Sequence, residues 1–191
     1  NGGSETYMFK LGAYLKSIGH EVEYFGMEHE GRIVSNSLDL YTEAMDFHNS
    51  SALKKLKLSL KTVYSREAMN KMKKLLDKFE PDVVHLNNFN FQLTPSIIYA
   101  VKDYDKNHNK KIKLIYTAHD FQLVCPNDIM MDIHSNTPCE KCIGGNFKNC
   151  TANKCIHNST LKSLLGTLEA EIYNKNGIYS RIDNIICCSE F

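Results

Sequence analysis

The sequence has almost no net charge, no long apolar run and no secretory signal. Its 23 lysine and arginine residues against 22 aspartate and glutamate residues leave a formal charge of +1. This balance creates no general attraction to nucleic acid, so no nucleic-acid partner is expected. The longest purely apolar run covers only residues 97–101, whereas a helix that crosses a bilayer needs about 20 residues. The sequence therefore predicts a cytoplasmic protein without a transmembrane helix.

The composition is that of one globular domain. Apolar residues make up 42% and charged residues 24% of the chain, which excludes a disordered or fibrous protein. The length of 191 residues is enough for one well-filled core and short for two. We therefore expect residues 1–191 to form a single domain.

The spacing of apolar residues predicts alternating helices and strands. A helix capped by Ser4 is expected over residues 4–18, stopped by Gly19, and a short strand is expected over residues 20–27. Two further helices meet at Ser65, where the direction of the apolar stripe changes. The remaining expected elements are a strand over 83–86, a helix that starts at Pro95, a strand over 111–118, a helix over 161–173 and a strand over 185–189.

Short apolar strands that alternate with helices indicate βαβ units. The expected fold class is therefore α/β, with a Rossmann-like parallel sheet that carries helices on both faces. A cysteine-rich loop insertion is expected over residues 125–160. The chain opens on Asn1-Gly2-Gly3 rather than on methionine, and in such a domain a Gly-Gly turn before a capped helix comes directly after the first strand. We therefore expect that first strand to be missing upstream of Asn1.

Polar loops come after the strands, and the carboxyl ends of parallel strands meet at the ligand-binding edge of a sheet. Gly2 and Gly3 allow an anion to approach the N-terminus of a helix, although taken alone they are explained more simply by a tight turn before a capped helix. His119 and Asp120 come directly after the strand over 111–118. An imidazole there can donate to a hydroxyl or a phosphate, or act as a general acid or base. The alternative is a structural histidine bonded to a loop carbonyl.

Three further candidates lie at or after the strand over 83–86. His85 lies at the end of that strand, where a histidine is as often a packing residue as a functional one. Asn87 and Asn88 come next, and amide groups suit the hydroxyls of a carbohydrate. We therefore place these three residues on the side of an acceptor sugar.

Four cysteines have the spacing of a metal site. The pairs Cys139-x2-Cys142 and Cys150-x4-Cys155 lie on either side of a Gly-Gly turn. Two such thiolate pairs can hold one tetrahedral Zn²⁺, which would be structural because four thiolates leave no open position for a substrate. Disulfides and free thiols remain alternatives, of which disulfides are disfavoured in a cytoplasmic protein.

The other three cysteines are treated separately. Cys125 is a possible substitute ligand and stays unassigned. Cys187 and Cys188 belong to the last strand, and we expect them to be small core residues.

One predicted helix is strongly basic. Lys54, Lys55, Lys57 and Lys61 face away from its apolar stripe. A basic amphipathic helix can lie on an anionic membrane, which would make the protein peripheral to the inner face of the cell membrane. A solvated polar face is the commoner explanation of such a pattern.

Five motifs, taken in their order along the chain, resemble those of a known family. The motifs occur in the order seen in glycosyltransferase family 4. Over essentially its whole length, the chain resembles the N-terminal, acceptor-side domain of such an enzyme. The motifs are Asn1-Gly2-Gly3-Ser4-Glu5, Gly19-His20-Glu21-Val22, Pro81-Asp82-Val83-Val84-His85, Thr117-Ala118-His119-Asp120 and Cys187-Cys188-Ser189-Glu190-Phe191.

The resemblance implies a GT-B enzyme that transfers a sugar from a nucleotide-sugar donor with retention of configuration. By this resemblance Gly2 and Gly3 approach the donor diphosphate, His119 contacts the transferred sugar, and Asp120 orients His119 or its loop. No catalytic metal is implied. A cysteine-rich insertion resembles that of bacterial members linked to surface polysaccharide synthesis.

The donor-binding half of such an enzyme has no counterpart in this sequence. We therefore expect the missing C-terminal domain to be a partner of this one, and the isolated chain to be inactive. The alternative is a non-catalytic, zinc-stapled module that binds a glycan or a protein partner.

Overall fold

The fold is taken from a computed structural model that describes residues 2–44, 52–89 and 93–189, with only the backbone for residues 52–57. The first long helix, α1, spans Gly3–Ser17, as predicted apart from one residue at each end. The next elements along the chain are α2 (Ala52–Val63), α3 (Arg66–Phe79), β1 (Val83–Asn87), α4 (Ser96–His108), β2 (Lys113–Ala118), β3 (Met131–Asp132), β4 (Thr137–Pro138), α5 (Lys148–Ala152), α6 (Thr160–Lys175) and β5 (Asn184–Cys187).

The centre of the molecule is a parallel sheet of three strands in the order β1-β2-β5. Asn87 at the end of β1 lies opposite Thr117 of β2, and Thr117 lies opposite Ile186 of β5. Leu114 and Tyr116 of β2 are fully buried between the flanking helices, together with Ile98 of α4. The α/β class and the Rossmann-like parallel sheet are therefore confirmed.

The predicted break between two helices is confirmed at Ser65. Its hydroxyl oxygen accepts the Ala68 N–H at 3.1 Å and so caps α3. The Ser65 N–H donates in turn to the Thr94 hydroxyl at 3.1 Å, which ties the break to the start of α4. Ser65 is buried at this cap, and α2 and α3 are separate helices on either side of it.

The predicted strand over residues 20–27 is wrong. These residues form no regular secondary structure, and their one bridge joins Met27 to Thr42. The Tyr24 N–H donates to the carbonyl of Ser35, so the backbone of this segment bonds to an irregular stretch rather than to a strand. The alternation of apolar residues still has a role, because Phe25 packs against the main core.

Cys187 and Cys188 are exposed rather than buried, so their assignment to the core is wrong. Within the described residues β5 pairs only with β2 and forms an edge of the sheet. Its apolar side chains are correspondingly open, with Ile185 46% and Ile186 44% exposed. An apolar strand sequence predicts pairing, but burial depends on which helices cover it.

Gly12 allows α1 to approach Tyr24, because a Cβ built at this position lies 1.9 Å from the tyrosine hydroxyl oxygen. We expect Gly12→Ala to lower the free energy of unfolding by about 1–3 kcal/mol, since the ring must move, although alanine favours helix by about 1 kcal/mol. Urea denaturation measures this loss. Adding Tyr24→Phe removes the closest atom and should restore part of the stability; a double variant no more stable than Gly12→Ala would contradict this packing.

Glu67 joins α2 to α3 through two lysines. Its carboxylate accepts from the ammonium groups of Lys61 and Lys71 and from the Glu43 N–H at 2.9 Å. Burial disfavours the charged form, but these hydrogen bonds outweigh it and hold the pKa of Glu67 at about 2. Since this pKa lies below its unfolded value, the pairing stabilises the fold above about pH 4.5, and the stabilisation is lost as the pH falls toward 2.

We expect Glu67→Gln to cost about 1–2 kcal/mol at pH 7 and almost nothing near pH 2. Urea denaturation at both pH values measures the difference. Glu171→Gln is the matched control, because Glu171 pairs at 3.2 Å with the mostly exposed Lys175; its cost should stay below about 0.5 kcal/mol. Equal losses from both variants would contradict the role given to Glu67.

Candidate active site

Side chains from α1, β1 and β2 meet at the carboxyl edge of the sheet. We call Tyr7, His85, Asn87, Thr117 and His119 the edge cluster. Asn87 and Thr117 are paired across β1 and β2, and His119 follows β2 directly. The sequence predicted that the strand ends converge at this edge. The fold brings His85, Asn87 and His119 together there.

His119 is oriented by Asn87. The ring nitrogen Nε2 lies 2.9 Å from the Asn87 Oδ1, which is an acceptor, so Nε2 carries the hydrogen and donates it. The opposite nitrogen, Nδ1, lies 3.9 Å from the Cys188 Sγ. The ring of Tyr7 packs edge-on against the imidazole, with centroids 5.2 Å apart. His119 is thus held by contacts from α1, β1 and the end of β5.

His85 belongs to the edge cluster through a hydrogen bond to Thr117. Its Nε2 is 2.7 Å from the Thr117 Oγ1, which is itself 3.3 Å from the Tyr7 hydroxyl oxygen. Burial, and to a lesser extent the nearby His119, lowers the pKa of His85. At neutral pH His85 is therefore an uncharged ring that positions Thr117 and Tyr7 beside His119.

Asp120 contacts its own loop rather than bonding to His119. The carboxylate oxygen Oδ1 accepts the Gln122 N–H at 3.1 Å, and burial raises the pKa of Asp120. Of the two roles that the resemblance implied for Asp120, this geometry fits the orientation of the loop. His119 donates its hydrogen bond to Asn87, a residue that the sequence had placed on the side of the acceptor sugar.

The Gly-Gly turn caps α1 in an unexpected way. Gly2, not Ser4, is the N-cap, and its N–H donates to the Glu5 Oε2 at 2.8 Å. A Cβ at Gly2 or Gly3 would meet nothing within 4 Å, so the space around both residues is open. A phosphate at this helix N-terminus would have to displace the Glu5 carboxylate, which already occupies the anion position.

Ser4 lies inside the first turn of α1 and joins it to the end of β1. Its hydroxyl oxygen accepts a hydrogen bond from the Asn88 side-chain amide at 3.0 Å. Asn88 has a positive φ of 20°, so the chain turns sharply directly after β1. Asn88 thus reaches α1, whereas its neighbour Asn87 reaches His119.

Sequence reasoning missed Tyr7, Thr117 and Cys188 as members of this site. Tyr7 lies just after the first turn of the helix that begins at the Gly-Gly turn, and Thr117 and Cys188 lie at strand ends. The position of each of these residues in the chain order already predicted that it lies at the ligand-binding edge of the sheet. Only contacts between elements show that these side chains face His119.

The cysteines of the predicted metal site come together around one small cavity. Cys139, Cys142, Cys150 and Cys155 line it, together with Cys125. Burial raises the pKa of Cys142 to about 11 and that of Cys150 to about 12, so these thiols are neutral as they stand. Among the described residues, no three histidine, cysteine, aspartate or glutamate side chains are arranged to hold a metal ion.

The basic helix face is described only at one of its four lysines. The side chains of Lys54, Lys55 and Lys57 lie outside the described residues. Lys61 is ion-paired with Glu67. In the part of the chain that the structure describes, no helix is both long and apolar enough to span a bilayer.

The fold and the edge cluster define an α/β domain with a polar, histidine-containing site at the carboxyl edge of a parallel sheet. The sequence profile of Glycosyltransferase Family 4 matches residues 1–191, and the chain belongs to that family. None of the curated proteins and none of the solved structures matches it. Membership in this family supports glycosyltransferase activity.

Proposed function

We propose that this chain is the N-terminal domain of a retaining glycosyltransferase that moves a sugar from a nucleotide-sugar donor to an acceptor at the edge cluster. The observation that carries this proposal is His119, which is fixed by Asn87 at 2.9 Å at the carboxyl edge of the sheet. The family match gives the class of reaction.

The edge cluster offers the groups that sugar transfer needs. His119 donates from Nε2 to Asn87, so its other nitrogen, Nδ1, beside the exposed Cys188, can accept a hydrogen bond from a hydroxyl of a bound nucleotide sugar. Polar groups that are fixed at the place where charge develops lower the barrier without reorganising during the reaction. In this proposal His119 contacts the transferred sugar, and Asn87 holds its ring in place.

The acceptor is placed on the β1 side of the cluster. Asn88 turns away from the sheet toward α1, where its amide bonds to Ser4. A side chain that bridges two elements at an open rim can exchange this bond for one to a sugar hydroxyl.

The reaction serves the synthesis of a bacterial surface polysaccharide in this proposal, and the basic α2 brings the enzyme to the membrane that carries the acceptor.

Gly2 and Gly3 receive the donor diphosphate in this proposal, after Glu5 swings away from the helix N-terminus. The open space around both glycines supports this approach. A separate donor-binding domain supplies the remaining contacts to the nucleotide. The isolated chain therefore has too few donor contacts to catalyse transfer.

The test uses the full-length enzyme and residues 1–191 side by side. Each is incubated with UDP- and GDP-sugars and with lipid-linked acceptors, and nucleotide release and glycosylated product are measured by mass spectrometry. We expect transfer with retained configuration from the full-length enzyme and none from residues 1–191. Inverted product would refute the retaining mechanism. Glycan binding without transfer by the full-length protein would favour a non-catalytic module.

A further inference from the structure

Five cysteines surround a single small cavity in the segment between β2 and α6. Cys125, Cys139, Cys142, Cys150 and Cys155 line a volume of about 10 Å³. A space of this size holds about one water molecule or one small ion. Cys125 reaches the cavity from a different part of the segment than the other four, so the chain folds back to bring the thiols together.

Two tight turns hold three of these cysteines, Cys142, Cys150 and Cys155. The first begins at Cys142, whose carbonyl accepts the Gly145 N–H at 3.2 Å, and the positive φ of 75° at Gly144 allows this turn. The second is closed by a bond of 3.0 Å from the Cys155 N–H to the Cys150 carbonyl. In each turn the local backbone is fixed by its own hydrogen bonds.

The two turns are also connected through sulfur. The backbone N–H of Cys150 donates to the Phe147 carbonyl at 2.9 Å and also interacts with the Cys142 thiol. The Cys150 thiol interacts in turn with the Cys155 thiol. The two cysteine pairs are therefore one cluster rather than two separate turns.

Apolar packing alone gives this segment little stability. Its hydrophobic cluster has only three buried members, Cys142, Phe147 and Cys150. Two of these three are cysteines, which bury far less apolar surface than leucine or isoleucine. A small segment with so few buried apolar groups usually depends on a disulfide or a structural metal.

A positive charge lies beside the cluster. The Lys141 ammonium interacts electrostatically with Cys139 and Cys155, and it donates to the Asp132 carboxylate at 3.0 Å. Several thiolates around one divalent cation carry an excess of negative charge. The Lys141 ammonium offsets part of that excess, while the paired Asp132 carboxylate acts on Cys155 in the opposite sense.

We propose that this cavity is a structural zinc site, in which Cys139, Cys142, Cys150 and Cys155 bind one Zn²⁺ as thiolates. Their two pairs have the sequence spacing of tetrahedral zinc ligands, whereas Cys125 belongs to no such pair and forms the cavity wall. Each ligand thiol releases its proton when the ion binds. Because the side chains are not arranged around an ion as they stand, binding includes rotation of the thiolates toward the centre.

This site is independent of the proposed transfer reaction and has its own test. The full-length protein is purified without chelator, and bound metal is measured by inductively coupled plasma mass spectrometry. We expect one zinc per chain. Replacement by Co²⁺ should give the visible bands of a tetrahedral thiolate site, and a strong chelator should lower the melting temperature.

Single serine variants identify the ligands. We expect Cys142→Ser and Cys150→Ser to lose zinc or to bind it at least about tenfold more weakly. Cys187→Ser is the matched control, because this exposed cysteine lies in β5 outside the cluster, and it should keep one equivalent. Cys125→Ser should keep zinc as well, and its loss of zinc would overturn the assignment of the four ligands.

Two other results would overturn the site itself. Non-reducing mass spectrometry after alkylation would show disulfides as unmodified cysteine pairs, with no zinc bound. Alternatively, all five cluster thiols would react with the alkylating reagent in the folded, metal-free protein. Both measurements are possible on the protein without any substitution, so they do not depend on whether a variant folds.

Discussion

Replacing His119 by alanine in the full-length enzyme should lower kcat by about 100-fold or more. The variant removes the imidazole that Asn87 holds at the carboxyl edge of the sheet and that the ring of Tyr7 packs against. Initial rates of sugar transfer under saturating donor measure the effect. Circular dichroism and a thermal melt establish that the variant is folded.

The control for this prediction is His20→Ala. His20 is exposed and lies just past the end of α1, away from the edge cluster. Its replacement should leave the rate within about twofold, because surface substitutions away from a site have small effects. If His119→Ala transferred sugar as fast as His20→Ala, His119 would have no part in the mechanism.

Asn87 should affect the reaction through His119 and not through the substrate. Asn87→Ala removes the acceptor that lies 2.9 Å from the Nε2 of His119, so the ring loses its fixed orientation. We expect kcat to fall by about 10- to 100-fold with a much smaller change in KM. Steady-state kinetics of the full-length enzyme separate these two quantities.

Asn87→Asp is the informative partner of this variant. A carboxylate keeps an acceptor at the same place, so most of kcat should return. It also places a negative charge beside the imidazole, which favours the charged form of the ring. The pH–rate profile should therefore shift to higher pH relative to the unsubstituted enzyme. A KM effect without a change in kcat, or a profile that does not move, would show that Asn87 binds substrate instead.

The elements that the sequence predicted well are those that depend on local signals. The break at Ser65 rests on a cap within four residues of the chain, and the stop at Gly19 rests on one positive φ of 94°. The strands β1 and β2 are recognisable in the sequence because the strands of a parallel sheet covered by helices form short apolar runs. Chain order then placed His85 and His119 at the same edge.

The predictions that failed concern neighbours distant in sequence. Residues 20–27 have a strand-like pattern, but pairing requires another strand alongside, and their described partners come from an irregular stretch. Cys187 and Cys188 read as core residues because β5 is apolar, yet its side chains are exposed at the edge of the described sheet. An apolar pattern shows that a segment can be buried, but it does not show which other elements cover it.

The sequence by itself determined the α/β class, the order of most elements and the edge at which the histidines meet. These depend on periodicity, caps and the geometry of parallel strands, all of which act over a few residues. The tertiary structure alone decided that Asn87 rather than Asp120 bonds to His119, and that Cys125 joins the cysteine pairs. Hydrogen bonds and packing depend on distances of a few ångströms between segments, and these distances are set only when the whole chain has folded.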